Sequence, residues 1–140
     1  MPKTLLRTSA SSAMMENKVV IDTNISIYHL SGDHALEATL TGKSIYISFV
    51  SEIELRCKPH LTKTEEAVID QYLKCATVVH SNSAICRLAA QVKIENRALK
   101  IADSIIAATS LYLSLPLLTA DKLLLKAKGV DTIPYLPSVK

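Results

Sequence analysis

Four acidic residues each stand where an apolar segment meets a turn or the start of a helix: Asp22, Glu54, Asp103 and Asp121. Asp22 directly follows the apolar run 19–21, and Asp121 directly follows the segment 117–120. Because the carboxyl ends of parallel strands meet at one edge of a sheet, where ligands bind, we expect the four carboxylates to converge. Clustered carboxylates repel one another unless a cation holds them, and ligands that are all oxygen suit Mg²⁺ or Mn²⁺.

Glu54 also has an ordinary structural role that it could fill. Ser51 and Glu54 have the spacing of a capping box, in which Glu54 would bond the backbone N–H of Ser51. Glu52 competes with Glu54 as the functional acid, although its spacing favours an ion pair with Arg56 at i+4. On the residues alone, both roles of Glu54 stay open.

The other three acids precede helical segments, where Asp is a favoured N-cap. Asp103 and Asp121, taken singly, are more typical of caps than of ligands. Small residues share a helix face with Asp103 and would let that helix approach the sheet closely. The Asp103 carboxylate would then be partly buried and would need a partner. For Asp22 we favour a ligand at the sheet edge over a cap, since unpaired Asp is seldom deeply buried.

Composition disfavours several common classes of function. The chain has 140 residues, which indicates one domain, and 3 glycines, with neither a GxGxxG nor a GxxxxGK[ST] motif. The three cysteines lack CxxC spacing and the four histidines lack HxxxH spacing, which argues against a disulfide framework and a zinc site. We expect reduced, mostly buried thiols in a cytoplasmic protein. The net charge of +3 suits a polyanionic partner, and equally an ordinary basic protein.

Two segments need separate interpretation. Residues 8–13 are small and polar, and residues 1–17 contain no apolar stretch of signal-peptide length, so we interpret 1–17 as a disordered N-terminal tail or a mis-assigned start. Residues 104–120 carry no charge, and their length touches the lower limit of a membrane span. Ser and Thr side chains and Pro116 interrupt this segment. A helix followed by a short buried strand explains it better, and we expect no membrane association.

Short apolar runs alternate with helical patterns through the rest of the chain. Strands are predicted at 18–21, 45–48, 77–80, 117–119 and 132–133. Helices are predicted at 24–30, 34–40, 50–57, 62–73, 83–96, 103–113 and 122–128. Thr62 and Glu65 have capping-box spacing, and Gly129 ends the last helix. The alternation predicts an α/β fold with a parallel sheet of four to five strands and helices on both faces.

The chain resembles PIN-domain ribonucleases, and more narrowly the toxins of bacterial toxin–antitoxin pairs of the VapC type. The resemblance spans about residues 18–136 and rests on four stretches: VIDTN at 20–24, SFVSEIEL at 48–55, IADSIIAAT at 101–109 and LLTAD at 117–121. The stretch around Asp103 is the most specific of the four. Leu123 stands close behind the last acid, where family members often carry an aromatic residue.

The resemblance implies a three-layer α/β/α PIN-like domain over residues 18–137 that requires Mg²⁺ or Mn²⁺ and cleaves single-stranded RNA. Glu54 is preferred to Glu52 because the acid directly before Leu55 matches the family. Asn24 and Thr119 fall on supporting polar positions. The resemblance also implies a homodimer and a cognate antitoxin. By this match the family's acidic quartet falls on Asp22, Glu54, Asp103 and Asp121.

Lys100 and Lys122 stand beside the third and fourth acids, and each could grip RNA phosphate or could simply be solvated. The chain has no Trp and few aromatic residues, whereas single-stranded RNA is usually read by stacking bases on aromatic rings. Backbone recognition is therefore favoured. The alternative function is a non-catalytic PIN-like binding module, whose acids cap helices and whose target is a protein partner. Carboxylate-dependent Mn²⁺ binding would separate the two.

Overall fold

A parallel sheet lies at the centre of residues 17–137, the part of the chain that the computed structural model describes. Its strands within that part are β1 (Lys18–Ile21), β2 (Ser44–Ser48), β3 (Thr77–Val79), β4 (Leu117–Thr119) and β5 (Thr132–Pro134). They lie in the order β3-β2-β1-β4-β5, and every neighbouring pair is parallel. All of these strands therefore end at the same edge of the sheet, as the sequence predicted.

Helices cover both faces of this sheet. Between Asn17 and Pro137 they are α1 (Thr23–Leu30), α2 (His34–Leu40), α3 (Phe49–Arg56), α4 (Lys63–Cys75), α5 (Ser83–Glu95), α6 (Ile101–Leu113) and α7 (Lys122–Leu125). Side chains of α1, α2 and α4 pack in the core on one face, and side chains of α5, α6 and α7 pack in the core on the other. The predicted three-layer α/β/α architecture is confirmed.

The side chains of β1 alternate between these two cores. Val19 and Ile21 belong to the core beneath α1, α2 and α4, whereas Val20 belongs to the core beneath α5, α6 and α7. All three are fully buried, which is the pattern of a central strand in a parallel sheet covered on both faces. Because β1 is anchored from both sides, the residues that directly follow it are held in a fixed place.

One helix start differs from the sequence prediction in a way that concerns the acids. α6 begins at Ile101 rather than at residue 103, so Asp103 lies within the first helical turn. At the start of α4 the predicted capping box is confirmed, since Thr62 and Glu65 each bond the backbone N–H of the other.

One helix end also differs, because a side chain from another loop intervenes. α7 ends at Leu125 and not at Lys128, although Gly129 was predicted to end it. The Asn96 side chain accepts a hydrogen bond from the Lys128 backbone N–H at 2.8 Å. That N–H group is therefore bonded outside the helix, which a local sequence rule cannot detect.

The predicted burial of the cysteines is wrong. Cys57, Cys75 and Cys86 are free thiols, as expected, but all three are exposed. In α5 the buried stripe passes through Ile85 and Ala89, and Cys86 lies off that stripe. No helix within residues 17–137 has both the length and the apolar character needed to cross a membrane. The predicted N-terminal tail lies outside the described residues apart from Asn17.

Candidate active site

The structure brings the four predicted acids to one cavity at the edge where the strands end. The cavity has a volume of about 330 Å³. Besides the acids it borders the start of α1 and the loop that precedes α6. The lining residues are Asp22, Thr23, Asn24, Ile27, Glu54, Lys100, Ala102, Asp103 and Asp121.

Two of the acids reach the cavity from just past the carboxyl end of a strand, and two reach it from a helix. Asp22 follows β1, Asp121 follows β4 after one intervening residue, and Glu54 lies in α3, which follows β2. Asp103 follows no strand and lies in the first turn of α6, which leads into β4. A helix that returns the chain to the start of a parallel strand begins at the edge where strands end. This geometry places Asp103 beside the other acids.

Asp22 is the buried and fixed member of the group, with 3% of its surface exposed. Its Oδ1 accepts a hydrogen bond from the Ile25 backbone N–H (2.9 Å) and so caps α1, while its Oδ2 accepts one from the Thr119 hydroxyl. Burial raises the pKa of Asp22; the two hydrogen bonds oppose that rise, and the charges of Asp121 and Glu54 add to it. The same carboxylate therefore caps a helix and faces the cavity.

Thr119 connects Asp22 to Asp121. Fully buried on β4, it gives its hydroxyl hydrogen to Asp22, and its oxygen accepts a hydrogen bond from the Asp121 backbone N–H at 3.0 Å. Asp121 in turn caps α7, because its Oδ1 accepts hydrogen bonds from the N–H groups of Leu123 (2.9 Å) and Leu124 (3.0 Å). The cap role of Asp121 is confirmed. Its other carboxylate oxygen bonds no group within residues 17–137.

Glu54 is held by α1 rather than by its own helix. Thr23, the first residue of α1, donates its hydroxyl hydrogen to Glu54 Oε1, and Thr23 Oγ1 also lies 2.9 Å from Ser51 Oγ. The capping box that the spacing of Ser51 and Glu54 allowed does not form. Ser48 is the N-cap of α3, so Ser51 is the third residue of the helix and not its cap, and the Glu54 carboxylate bonds Thr23 instead.

Glu52, the competing acid, does not line the cavity. Its predicted ion pair with Arg56 is confirmed, with Arg56 Nε 3.0 Å from Glu52 Oε2. Arg56 also pairs with Asp70 of α4, with Nη1 2.8 Å from Oδ1. The arrangement of α3 thus assigns Glu54 to the cavity and Glu52 to the surface.

Asp103 is the least supported of the four carboxylates. It is half-buried, it accepts no hydrogen bond from residues 17–137, and it does not cap α6, whose N-cap is Lys100. The predicted cap role is therefore wrong. Burial, followed by the negative charges of the other three acids, raises the pKa of Asp103 to about 6, against the opposing effect of Lys100. A carboxyl group whose charge is disfavoured in this way gains most from a nearby cation.

The two predicted RNA-binding lysines are placed differently. Lys100 borders the cavity and lowers the pKa of Asp103 through its positive charge. Lys122 is the first residue of α7 and does not border the cavity. The predicted supporting residue Asn24 lies on the exposed side of α1 and borders the cavity. Of the two lysines, only Lys100 lines the cavity.

The donor set of the cavity fits a hard divalent cation. Carboxylate oxygens dominate it, Thr23 and Asn24 add neutral oxygen atoms, and the acids raise the pKa values of Asp22 and Asp103 by like-charge repulsion. Oxygen ligands of this kind suit Mg²⁺ or Mn²⁺. Within residues 17–137, however, no three Asp, Glu, His or Cys side chains already surround one point as a metal site would. The carboxylates of Asp22 and Glu54 are engaged in protein hydrogen bonds, so metal ligation requires side chains to adjust.

The sequence prediction did not include Thr23 and Ser51 among the site residues. The available signal was a hydroxyl residue directly after the first acid and another three residues before Glu54. Local rules assign the second of these to a capping box. The bond between Thr23 and Glu54 joins residues 31 positions apart, and only the packing of α1 against α3 reveals it.

The fold is that of a PIN-like α/β/α domain, and the comparison with known protein families agrees. The model of the PIN domain family matches residues 19–130. The chain therefore belongs to the PIN domain family, whose members are generally nucleases. The family resemblance inferred from the four sequence stretches is confirmed. A search of curated proteins found no match to the chain.

Solved structures share this fold over nearly their whole length. The chain is similar to VapBC2 from Rickettsia felis bound to a DNA fragment from their promoter, with 13% identity, a TM-score of 0.73, and coverage of 84% of this chain and 98% of that one. A toxin–antitoxin complex from Klebsiella pneumoniae is similar with 23% identity, a TM-score of 0.71, and coverage of 82% of this chain and 95% of that one. VapBC-5 from Mycobacterium tuberculosis, a member of the VapBC family of toxin–antitoxin systems, is similar with 22% identity and a TM-score of 0.64. The match covers 85% of this chain and 99% of that one. At these identities the similarity is one of fold.

Proposed function

We propose that this protein is a metal-dependent endoribonuclease that uses Mg²⁺ or Mn²⁺ to cleave phosphodiester bonds of single-stranded RNA. The observation that carries the proposal is the cavity itself, in which Asp22, Glu54, Asp103 and Asp121 meet at the edge of the sheet where ligands bind. Membership of a family of nucleases supports the reaction class. The basic residue at the rim and the positive net charge suit a polyanionic substrate.

Each acid has a distinct part in the proposed site. Asp22, Glu54 and Asp103 supply the main set of metal ligands, and Asp121 either holds a second ion or orients the attacking water. When bound, the metal would make a water molecule easier to deprotonate and would offset negative charge on the leaving oxygen. The protein's own contribution is to fix these oxygen atoms. Thr119 holds Asp22, and Thr23 holds Glu54.

RNA would be held mainly through its backbone. Lys100 lies at the cavity and is the better placed of the two lysines to contact a phosphate next to the metal. The part of the cavity lining contributed by residues 17–137 contains no aromatic side chain on which a base could stack. Recognition of backbone and shape is therefore favoured over reading of bases.

We further propose that the protein is the toxin of a toxin–antitoxin pair, acts in the cytoplasm, forms a homodimer and is silenced by a cognate antitoxin. The support is the fold shared with components of VapBC and other toxin–antitoxin complexes. Expression of the chain without its antitoxin should arrest bacterial growth, and Asp22→Asn should relieve the arrest.

The test of the nuclease is cleavage of an end-labelled single-stranded RNA with Mn²⁺ by the wild-type protein and by Asp22→Asn. Asn keeps an oxygen that can accept the Ile25 N–H bond, so the helix cap survives while the charge is lost. We expect activity to fall at least about 100-fold, because a metal ion supplies several kcal/mol to such a transition state and 1.36 kcal/mol is tenfold in rate.

The matched control is Asp70→Asn, which removes a carboxylate that pairs with Arg56 outside the cavity. This variant should cleave RNA like the wild type, and EDTA should abolish cleavage by both. Equal activity of the wild type and Asp22→Asn would refute the mechanism. A duplex RNA and a single-stranded DNA of the same sequence, cleaved as fast as the single-stranded RNA, would refute the substrate class.

A further inference from the structure

We propose that Thr23 is a positioning residue that sets the Glu54 carboxylate for cation binding, with Ser51 supporting Thr23 from behind. The inference rests on the proposed function, because it gives Glu54 the role of a metal ligand. It concerns two residues outside the acidic quartet. Their contacts join α1 to α3, the helices that follow the neighbouring strands β1 and β2.

The direction of this short chain of hydroxyl groups follows from the number of hydrogens available. A threonine hydroxyl has one hydrogen and can both donate and accept. A carboxylate only accepts, so the Thr23 hydrogen goes to Glu54 Oε1. The contact between Thr23 Oγ1 and Ser51 Oγ, at 2.9 Å, must then be donated by Ser51. The order is Ser51 to Thr23 to Glu54, and each bond strengthens the next.

Glu54 needs this support more than the other acids do. Its side chain is exposed and has more rotatable bonds than an Asp. Within residues 17–137 Thr23 is the one donor that bonds its carboxylate. Ser51 of α3, by contrast, is fully buried. A buried hydroxyl group therefore anchors an exposed carboxylate through Thr23. The second Glu54 oxygen bonds no group within residues 17–137 and can turn toward the cavity.

A second threonine supports the acids in the same way. Thr119, on β4, donates its hydroxyl hydrogen to Asp22 and accepts the Asp121 backbone N–H. Each threonine thus donates a hydrogen bond to one acid and accepts one from another group, which is the Ser51 hydroxyl for Thr23 and the Asp121 backbone N–H for Thr119. Partners that orient metal ligands commonly change metal affinity or activity by about 10–100-fold when they are removed.

The experiment compares Mn²⁺ dissociation constants, measured by calorimetry without RNA, for the wild type, Thr23→Val, Thr23→Ser and Thr109→Val. Val has the shape of Thr without the hydroxyl, and Ser keeps the hydroxyl. We expect Thr23→Val to weaken Mn²⁺ binding by about 10-fold and Thr23→Ser to restore most of the affinity. Thr109→Val is the control, because the buried Thr109 hydroxyl bonds the Ile105 carbonyl of its own helix and, within residues 17–137, no acid.

A double-mutant cycle decides whether Thr23 acts through Glu54. In a Glu54→Gln background, Thr23→Val should cause no further loss of Mn²⁺ affinity, since coupled residues are not additive. Urea midpoints of all variants separate this role from packing: a purely structural Thr23 would lower the midpoint and leave the Mn²⁺ affinity of the folded protein unchanged.

The outcomes distinguish this inference from the proposed nuclease. If the wild type binds Mn²⁺ and needs Asp22 to cleave RNA, yet Thr23→Val binds Mn²⁺ as tightly, the positioning role is overturned and the nuclease stands. An additive loss in the Glu54→Gln background also overturns it. If the wild type neither binds Mn²⁺ nor depends on Asp22 for cleavage, both proposals fall.

Discussion

Asp22 and Asp103 face the same cavity from opposite structural situations. Asp22 follows the central strand, is almost fully buried, and has each carboxylate oxygen in a hydrogen bond. Asp103 lies in the first turn of α6, is half-buried, and accepts no hydrogen bond from residues 17–137. Burial is the largest cause of a raised pKa at both, but donors oppose it only at Asp22.

This difference divides the work of the site. Asp22 is a reference point whose position is set by the fold before any cation arrives. Asp103 is the carboxylate whose charge is least compensated, so its ionisation depends on what enters the cavity. A site that binds a cation needs both: fixed oxygen atoms that define the geometry, and unmet negative charge that favours the ion.

Removing the support of Asp22 should have the largest effect. In Thr119→Val the Asp22 carboxylate loses a hydrogen bond in a buried position, and Asp121 loses the acceptor for its N–H. We expect the free energy of unfolding to fall by about 1.5–3 kcal/mol, the usual value of a hydrogen bond to a charged group. RNA cleavage should fall by about 10–100-fold. Urea unfolding and cleavage rates measure the two effects.

Thr109→Val again serves as the control, because it removes a buried hydroxyl group that touches no acid. It should lose little activity. If Thr119→Val keeps full activity, Asp22 does not need the hydrogen bond from Thr119. The proposed contrast between a supported Asp22 and an unsupported Asp103 would then be refuted.

Neutralising Asp103 should act in the opposite direction on stability. Its pKa is raised from an ordinary 3.8 to about 6 in the folded protein, so between these pH values the folded state binds a proton that the unfolded state has released. The free energy of unfolding therefore falls as pH rises through this window. Asp103→Asn removes that loss. It should be more stable than the wild type at pH 7, and the difference should shrink toward pH 4.

Urea midpoints measured from pH 4 to pH 7 give this result directly. Saturating Mn²⁺ should raise the midpoint of the wild type at pH 7 more than that of Asp103→Asn. Asp70→Asn, which breaks an ion pair with Arg56, is the control. Its urea midpoint should not rise relative to that of the wild type between pH 4 and pH 7. A wild type that is the more stable protein at pH 7 would contradict the assignment of unmet charge to Asp103.

The smallest effect is expected at the lysines. Lys100 borders the cavity near Asp103, whereas Lys122 does not border it. Neutralising one phosphate contact flattens the slope of log binding constant against log salt concentration by about 0.7 for single strands. We expect this change for Lys100→Ala and a smaller one for Lys122→Ala, measured by RNA binding to catalytically inactive Asp22→Asn protein. A larger change for Lys122→Ala would contradict the proposal that Lys100 is the main phosphate contact.

The fold was largely predictable because its signals are local and repeated. The purely apolar run before Asp22 predicted a buried strand, and the alternation of strands and helices predicted a parallel sheet with two helical layers. The α7 end was not predictable, since Asn96 captures the Lys128 N–H from a distant loop. The cysteines were misjudged because apolar character alone does not show on which side of a helical stripe a residue lies.

The convergence of the four acids on one cavity was predictable from the sequence, because each acid stands at an element boundary or matches a family stretch. How they are held was not found. The spacing of Ser51 and Glu54 is that of a capping box, yet the hydrogen-bond partner of Glu54 is Thr23 on another helix. The sequence indicated an N-cap at Asp103, yet α6 begins two residues earlier, and the Asp103 carboxylate accepts no hydrogen bond from residues 17–137. Local spacing identifies candidate groups, and tertiary packing decides which bonds they form.

The most direct test of the central claim is a crystal structure of the wild-type protein grown with Mn²⁺, with anomalous diffraction used to locate the ion. The claim is that the four acids act together as a cation site. It predicts an anomalous peak in the cavity, bonded to oxygen atoms of Asp22 and at least one of Glu54 and Asp103. A peak elsewhere, or an empty cavity at saturating Mn²⁺, would contradict it.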